Sequence, residues 1–127
     1  MRSTAAGPDA AAVVQRQLDA YNARDVDALL EVYALDAQLF EHPAKLLADG
    51  SAELRARFTE RFREPDLHAQ LLSRVVMGNI VVDHECVTRN FPEGHGTLAM
   101  IMIYDVSGDR IQRAWSIAGA RDIDSAR

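Results

Sequence analysis

The sequence predicts an α+β domain of three helices and a mostly antiparallel set of strands. Three observations carry this expectation. Apolar residues recur at helical spacing twice before residue 34 and again after residue 51. A short strand-like run, 37–41, is inserted between those helices, and the chain from residue 67 onward reads as strands separated by turn signals.

Val14, Leu18 and Tyr21 stand at i, i+4 and i+7, one stripe of an amphipathic helix that Asn22-Ala23-Arg24 interrupts. Asp25 is placed to cap a second helix whose apolar residues Val26, Leu29, Leu30 and Tyr33 keep the helical period. Ala37 to Glu41 has strand composition, and Pro43 lacks the amide that would extend its ladder, so the strand ends there or runs on as an edge. Asp49-Gly50 turns the chain, and Ser51 is a candidate N-cap for a third helix over 52–63 with the stripe Leu54, Phe58, Phe62. Leu67 to Val76 and Ile80 to Arg89 read as a hairpin about Gly78-Asn79, and Asn90 to Gly96 as a loop. Thr97 to Tyr104 is almost continuously apolar, as in a strand buried on both faces, and Arg110 to Gly119 closes the sheet. Helices cover one face of such a sheet, so the other needs a second cover, and another copy of the chain is expected there: a homodimer through the convex face.

Several of these segments carry a resemblance. Tyr21-Asn22-Ala23-Arg24-Asp25, Tyr33-Ala34-Leu35-Asp36-Ala37, Asp49-Gly50 and the ending Tyr104-Asp105, Gly108, Arg110-Ile111 resemble the nuclear transport factor 2 superfamily, which includes ketosteroid isomerase and SnoaL-like polyketide cyclases. The resemblance spans nearly the whole chain and implies a cone-shaped α+β barrel, a strongly curved, mostly antiparallel mixed sheet packed on three helices. Such folds host many unrelated activities, so function must be argued from the site.

The size suits one domain over 11–127 behind a mobile tail at 1–10. A net charge of -5, with the basic residues scattered, argues against nucleic acid or an anionic membrane as partner. Cys86 is alone, and residues 1–12 hold no apolar run long enough for a signal or membrane segment, so a cytoplasmic location is expected. The four histidines and Cys86 match no metal-ligand spacing, and no phosphate loop or nucleophile elbow is present, so neither metal nor cofactor is expected.

The candidate chemistry is carboxylate chemistry. The resemblance implies the catalytic-base position of the isomerase for Glu41, which a burial-raised pKa would suit to proton transfer; exposure or pairing with an arginine is the alternative. The same match puts the isomerase's two oxyanion donors on Gln17 and Met100, an amide and a thioether, so steroid isomerisation does not carry over. Alternation sends Asp83 and Glu85 to one face of their strand and His84 to the other, and superfamily matching favours the two carboxylates inward. There they either form an acid and base pair with Glu41 or bridge to Arg74 or Arg113. His68, Gln70, Leu72 and Arg74 share a face, the convex one, where Arg74 would join His68 and His84 in an interface network. Tyr21, Tyr33, Leu39, Phe58, Leu71, Leu98, Met100 and Met102 are candidate lining residues, with Trp115 at the cavity mouth or the dimer interface. The reading is a protein that binds an apolar small molecule, acting as a cofactor-free isomerase, cyclase or dehydratase through Glu41, with Asp83 and Glu85 as further catalytic candidates. The residues leave open a non-catalytic ligand-binding or dimerisation module.

Overall fold

The structure, a computed structural model, describes residues 9–124. Residues 1–8, most of the expected mobile tail, lie outside the described residues. Helix α1 (Ala10–Asn22) starts where Asp9 accepts a hydrogen bond from the Ala11 amide at 3.0 Å. Helix α2 (Val26–Glu31) is capped by Asp25, whose carboxylate accepts from the Ala28 amide at 3.0 Å. Between them Arg24 adopts a positive φ of 54°, and its guanidinium donates to the carbonyls of Pro65 and Leu67 at 2.6 and 3.2 Å.

Six strands follow: β1 (Tyr33–Glu41), β2 (Lys45–Asp49), β3 (His68–Met77), β4 (Ile80–Phe91), β5 (Gly94–Ser107) and β6 (Arg110–Ile123), with α3 (Ser51–Arg61) between β2 and β3. They form one sheet in the order β2-β1-β6-β5-β4-β3, parallel between β1 and β6 and antiparallel elsewhere. Edge strands β2 and β3 do not join, so the expected barrel is an open curved sheet whose concave side the helices cover. Val13, Val14, Leu29, Leu54, Val81, Tyr104 and Ile111 make the dry core between the layers. Among the described residues no helix is long and apolar enough to cross a membrane.

The structure differs from the sequence expectation where tertiary pairing overrides local pattern. Tyr33 opens β1 instead of closing α2, because Val32 and Tyr33 are held by Ile111 of β6, whose amide donates to the Val32 carbonyl at 2.7 Å. Lys45–Asp49, read as part of a turn, folds back on β1 as β2. Gly50, with φ 88°, occupies the N-cap of α3, and Ser51 is the first helical residue. The expected loop at 90–96 is ladder: Asn90 pairs with His95 and Phe91 with Gly94, leaving a turn of Pro92-Glu93. Gly96 belongs to β5, where a Cβ would lie 2.5 Å from the Asp122 carbonyl oxygen, so glycine lets β5 close on β6.

A β-bulge re-aims one side chain that matters. Leu71 pairs with Glu85 but Ser73 with His84, so Leu72 is an extra residue and the alternation of β3 reverses beyond it. Arg74 therefore shares the concave side with Asp83, whereas His68 and His84 are exposed on the other. The expected interface network of His68, Arg74 and His84 does not form.

Candidate active site

The concave sheet, α1 and α3 enclose a cavity of about 280 Å³, near the lower end of the size range of small-molecule sites. Its apolar wall comes from Leu18, Tyr21, Leu39, Phe58, Leu98, Met100 and Met102, with Gln17 and Tyr104 among its polar members. The sequence-predicted Glu41 and Glu85 also line it, on different strands. Three inter-strand steps separate β1 from β4, about 14 Å along the sheet. Four other candidates stand elsewhere. Tyr33 is buried beneath the wall beside Phe58, and Leu71 packs on the small cluster of Leu18, Leu67, Ala69 and Val87. Trp115 is on the convex face, stacked on Phe40 with ring centroids 5.8 Å apart, because Leu39 pairs with Ala114 on the concave side and Phe40 with Trp115 on the other. Asp83 is fully buried behind the cavity.

The three acidic candidates live in different surroundings. Glu41, at the end of β1, is half-exposed and lies 3.7 Å from the Lys45 ammonium. Asp83 receives two hydrogen bonds from the Arg74 guanidinium, 2.7 and 2.9 Å, while the same arginine donates to Gln15 of α1 at 3.0 Å. Glu85 is only 5% exposed and has no hydrogen-bond or ion-pair partner among the described residues. Burial pushes its pKa up, the neighbouring Asp83 charge pushes it further, Arg74 draws it back, and the outcome is about 7. The like-charge neighbour of Glu85 is thus Asp83 and not Glu41.

Tyr21 and Tyr104 line the same cavity, and Tyr33 lies buried behind it. Tyr104 donates to the Gln17 side-chain oxygen at 3.2 Å, and the Gln17 amide donates to the Tyr33 hydroxyl at 3.4 Å, so Gln17 is spent as a bridge inside the wall. Burial raises the pKa of Tyr21, with Arg61 pulling it partly back, and burial raises Tyr33 and Tyr104 as well. All three remain protonated donors at neutral pH.

Four arginines that the scattered pattern of basic residues did not single out also line the cavity: Arg57, Arg61, Arg89 and Arg121. A signal for two of them was present, since Leu54, Arg57, Phe58 and Arg61 follow i, i+3, i+4, i+7 and share the inward face of α3. Glu85, Val87 and Arg89 likewise alternate onto one face of β4. Glu64, just beyond α3, accepts two hydrogen bonds from Arg89 at 2.8 and 2.7 Å and one from the Asn90 amide. Burial raises the Glu64 pKa, but these bonds outweigh it and hold the carboxyl below its ordinary value. Among the described residues no group of three or more His, Cys, Asp and Glu side chains converges as a metal site requires.

The sequence pattern of the SnoaL-like domain family matches residues 14–114. The chain belongs to the SnoaL-like domain family. No curated protein matches it significantly in sequence. Among solved structures, an uncharacterized cystatin-fold protein from Novosphingobium aromaticivorans is similar at 25% identity and a TM-score of 0.81, over 87% of this chain and 99% of that one. An NTF2-like protein of unknown function from Cytophaga hutchinsonii gives 13% and 0.74 over 94% and 95% of the two chains. A candidate SnoaL-like polyketide cyclase from Shewanella putrefaciens gives 12% and 0.77 over 87% and 90%. The NTF2-like superfamily expected from the sequence is therefore the fold of this SnoaL-like protein.

Proposed function

We propose that this SnoaL-like protein binds a small, largely apolar carbonyl compound in the cavity and moves a proton on it without a cofactor, with Glu85 as both base and acid. One observation carries the reading: a buried carboxyl facing the cavity, without a partner among the described residues and poised to ionise near neutral pH. As carboxylate, Glu85 takes a proton from the carbon beside the carbonyl. The C–H electrons become a C=C bond and the carbonyl π pair moves onto oxygen. The Tyr21 hydroxyl, kept protonated by burial, is the donor for that enolate oxygen. Returning the proton to another carbon is isomerisation. If the enolate carbon instead attacks a second carbonyl of the same molecule, the new alkoxide takes the proton from Glu85 and a ring has closed. The likeness in fold to a candidate polyketide cyclase is consistent with either outcome. Glu41, ion-paired at the rim, has a substrate-positioning role at most.

The test is catalysed exchange of α-protons in heavy water over a panel of aryl and cyclic ketones, joined to a carbon-13 titration of the Glu85 carboxyl. Exchange is lost in Glu85→Gln and kept in Glu41→Gln. Exchange that survives Glu85→Gln, or a Glu85 carboxyl that titrates like an exposed one, refutes the catalytic assignment and leaves a binding module.

The proposal includes a homodimer through the convex face. Val75, Val82, Ile103, Trp115, Phe40 and Leu46 pair in register as one apolar row across all six strands, and among the described residues no helix covers that side.

A further inference from the structure

We propose that the arginines around this cavity are an anion-recognition site centred on Arg57, so that the compound bound carries a carboxylate on its apolar body. The inference rests on reading the cavity as a small-molecule site with Glu85 in its wall, and adds the substrate class.

Arg57 and Arg61 stand one turn apart on α3, an arrangement in which like charges repel, and Arg89 faces them from β4. Their counter-charges are unevenly shared. Glu64 takes both bonds of Arg89 and lies 3.7 Å from Arg61. Glu93 pairs with Arg121 at 3.4 Å. Arg57 has no ion pair or hydrogen bond among the described residues, although it is half-buried. Burial and then the charges of Arg61 and Arg89 lower its pKa, so the environment disfavours the charge that this guanidinium nevertheless keeps. Glu41, the carboxylate on the same cavity that acts on it, is itself engaged by Lys45.

A bound anion removes this imbalance. One guanidinium without a partner matches one monoanion, and its planar fork meets a carboxylate through two parallel hydrogen bonds. A dianionic phosphate would need a second free guanidinium, and the other three are each engaged by Glu64 or Glu93. Leu39, Leu98 and Met100 give the body of the ligand an apolar wall. In a chain of net charge -5, a basic cavity lining also draws the anion locally against the overall field.

Matched probes test this on the full chain by calorimetry and nuclear magnetic resonance: cinnamate, its neutral amide cinnamamide, and phenyl phosphate. Cinnamate is expected to bind about tenfold more tightly than cinnamamide, the scale of a charge-assisted hydrogen bond. The preference should vanish in Arg57→Gln, survive in part in Arg57→Lys, and shrink near 1 M salt, where screening acts within about 3 Å. Circular dichroism confirms that each variant is folded. Equal affinity for acid and amide, a preference that persists in Arg57→Gln, or no binding of either overturns the proposal, and tighter binding of phenyl phosphate overturns its carboxylate assignment. If the amide binds as well as the acid while Glu85→Gln still abolishes proton exchange, the anion site falls and the proton-transfer reading stands. If cinnamate is preferred through Arg57 while Glu85 titrates as an exposed carboxyl, the anion site stands alone.

Discussion

Asp83 and Glu85 stand two residues apart on the concave side of β4, yet Asp83 is held by two hydrogen bonds from Arg74 while Glu85 has no partner among the described residues. Arg74 therefore leaves one carboxylate of the strand paired and the other without a partner. Burial raises the ionisation of Glu85 and the Asp83 charge beside it raises it further, so two carboxylates of one strand are set apart by environment rather than by residue type.

The raised pKa makes stability depend on pH in a defined direction. The folded protein binds the Glu85 proton more tightly than the unfolded chain, about 7 against an ordinary 4.5, so stability is full below the lower value and falls as pH rises through the window. The loss completed above the upper value is about 3 kcal/mol at most. Glu85→Gln cannot ionise. Its thermal midpoint should match or trail the parent's near the acid end and exceed it by several degrees on the alkaline side; parallel melting curves at every pH would contradict the assignment.

Asp83→Asn should move the Glu85 midpoint to lower pH, since it removes the like charge and frees Arg74 to favour the carboxylate. The carbon-13 shift of the Glu85 carboxyl reads this directly. Arg74→Met leaves a fully buried aspartate without its partner and should destabilise by about 3–5 kcal/mol in urea unfolding. A loss below about 1 kcal/mol, the range of exposed pairs, would mean that the bridge is solvated in solution.

What the sequence revealed and what it hid divide along one physical line. The Asp25 cap, the Leu54 and Phe58 stripe, and the sharing of one face by Asp83 and Glu85 rest on local patterns a few residues long and were legible, whereas which face of β4 turns inward came from the family resemblance and not from the alternation. Arg74 was not, because the extra residue Leu72 reverses its strand and nothing in LHAQLLSRVV marks where a bulge falls. Trp115 was not, because its face is set by parallel pairing with β1, more than seventy residues earlier. Tyr33 fits the helical period and was taken by the sheet instead. Arg57 was hidden differently: its spacing from Leu54 and Phe58 pointed inward, and its charge argued for solvent.

The helix corner makes a prediction of its own. Asn22 donates to the Ala69 carbonyl at 2.9 Å and accepts from the Ala69 amide at 2.8 Å, acting as a ladder partner for edge strand β3. Asn22→Ala removes both bonds and leaves a buried residue's amide and carbonyl unmatched, for an expected loss of about 1–3 kcal/mol. Amide hydrogen exchange localises the effect: Ala69 should lose protection while the central strand β5 follows only the global change. Unaltered protection at Ala69 would show that the contact does not persist in solution.

The convex face supplies the last test. The row from Val75 to Leu46 crosses the sheet with Ile103 and Trp115 at its centre, and its outer members remain 64% and 48% exposed. Apolar surface of this kind gains about 25 cal/mol for each Å² withdrawn from water, so a second copy laid on the row is stabilised mainly by area. Two chains of net charge -5 also repel, and added salt screens that repulsion while leaving the apolar term in place. Sedimentation at micromolar concentration should therefore give the mass of two chains, with association strengthening as salt is raised. Ile103→Asp sets a charge at the centre of the row without touching the concave core, and should give one chain's mass with an unchanged far-ultraviolet spectrum. A parent protein that already sediments as a single chain would remove the dimer from the proposal, and a dimer that ignores Ile103→Asp would place its interface elsewhere.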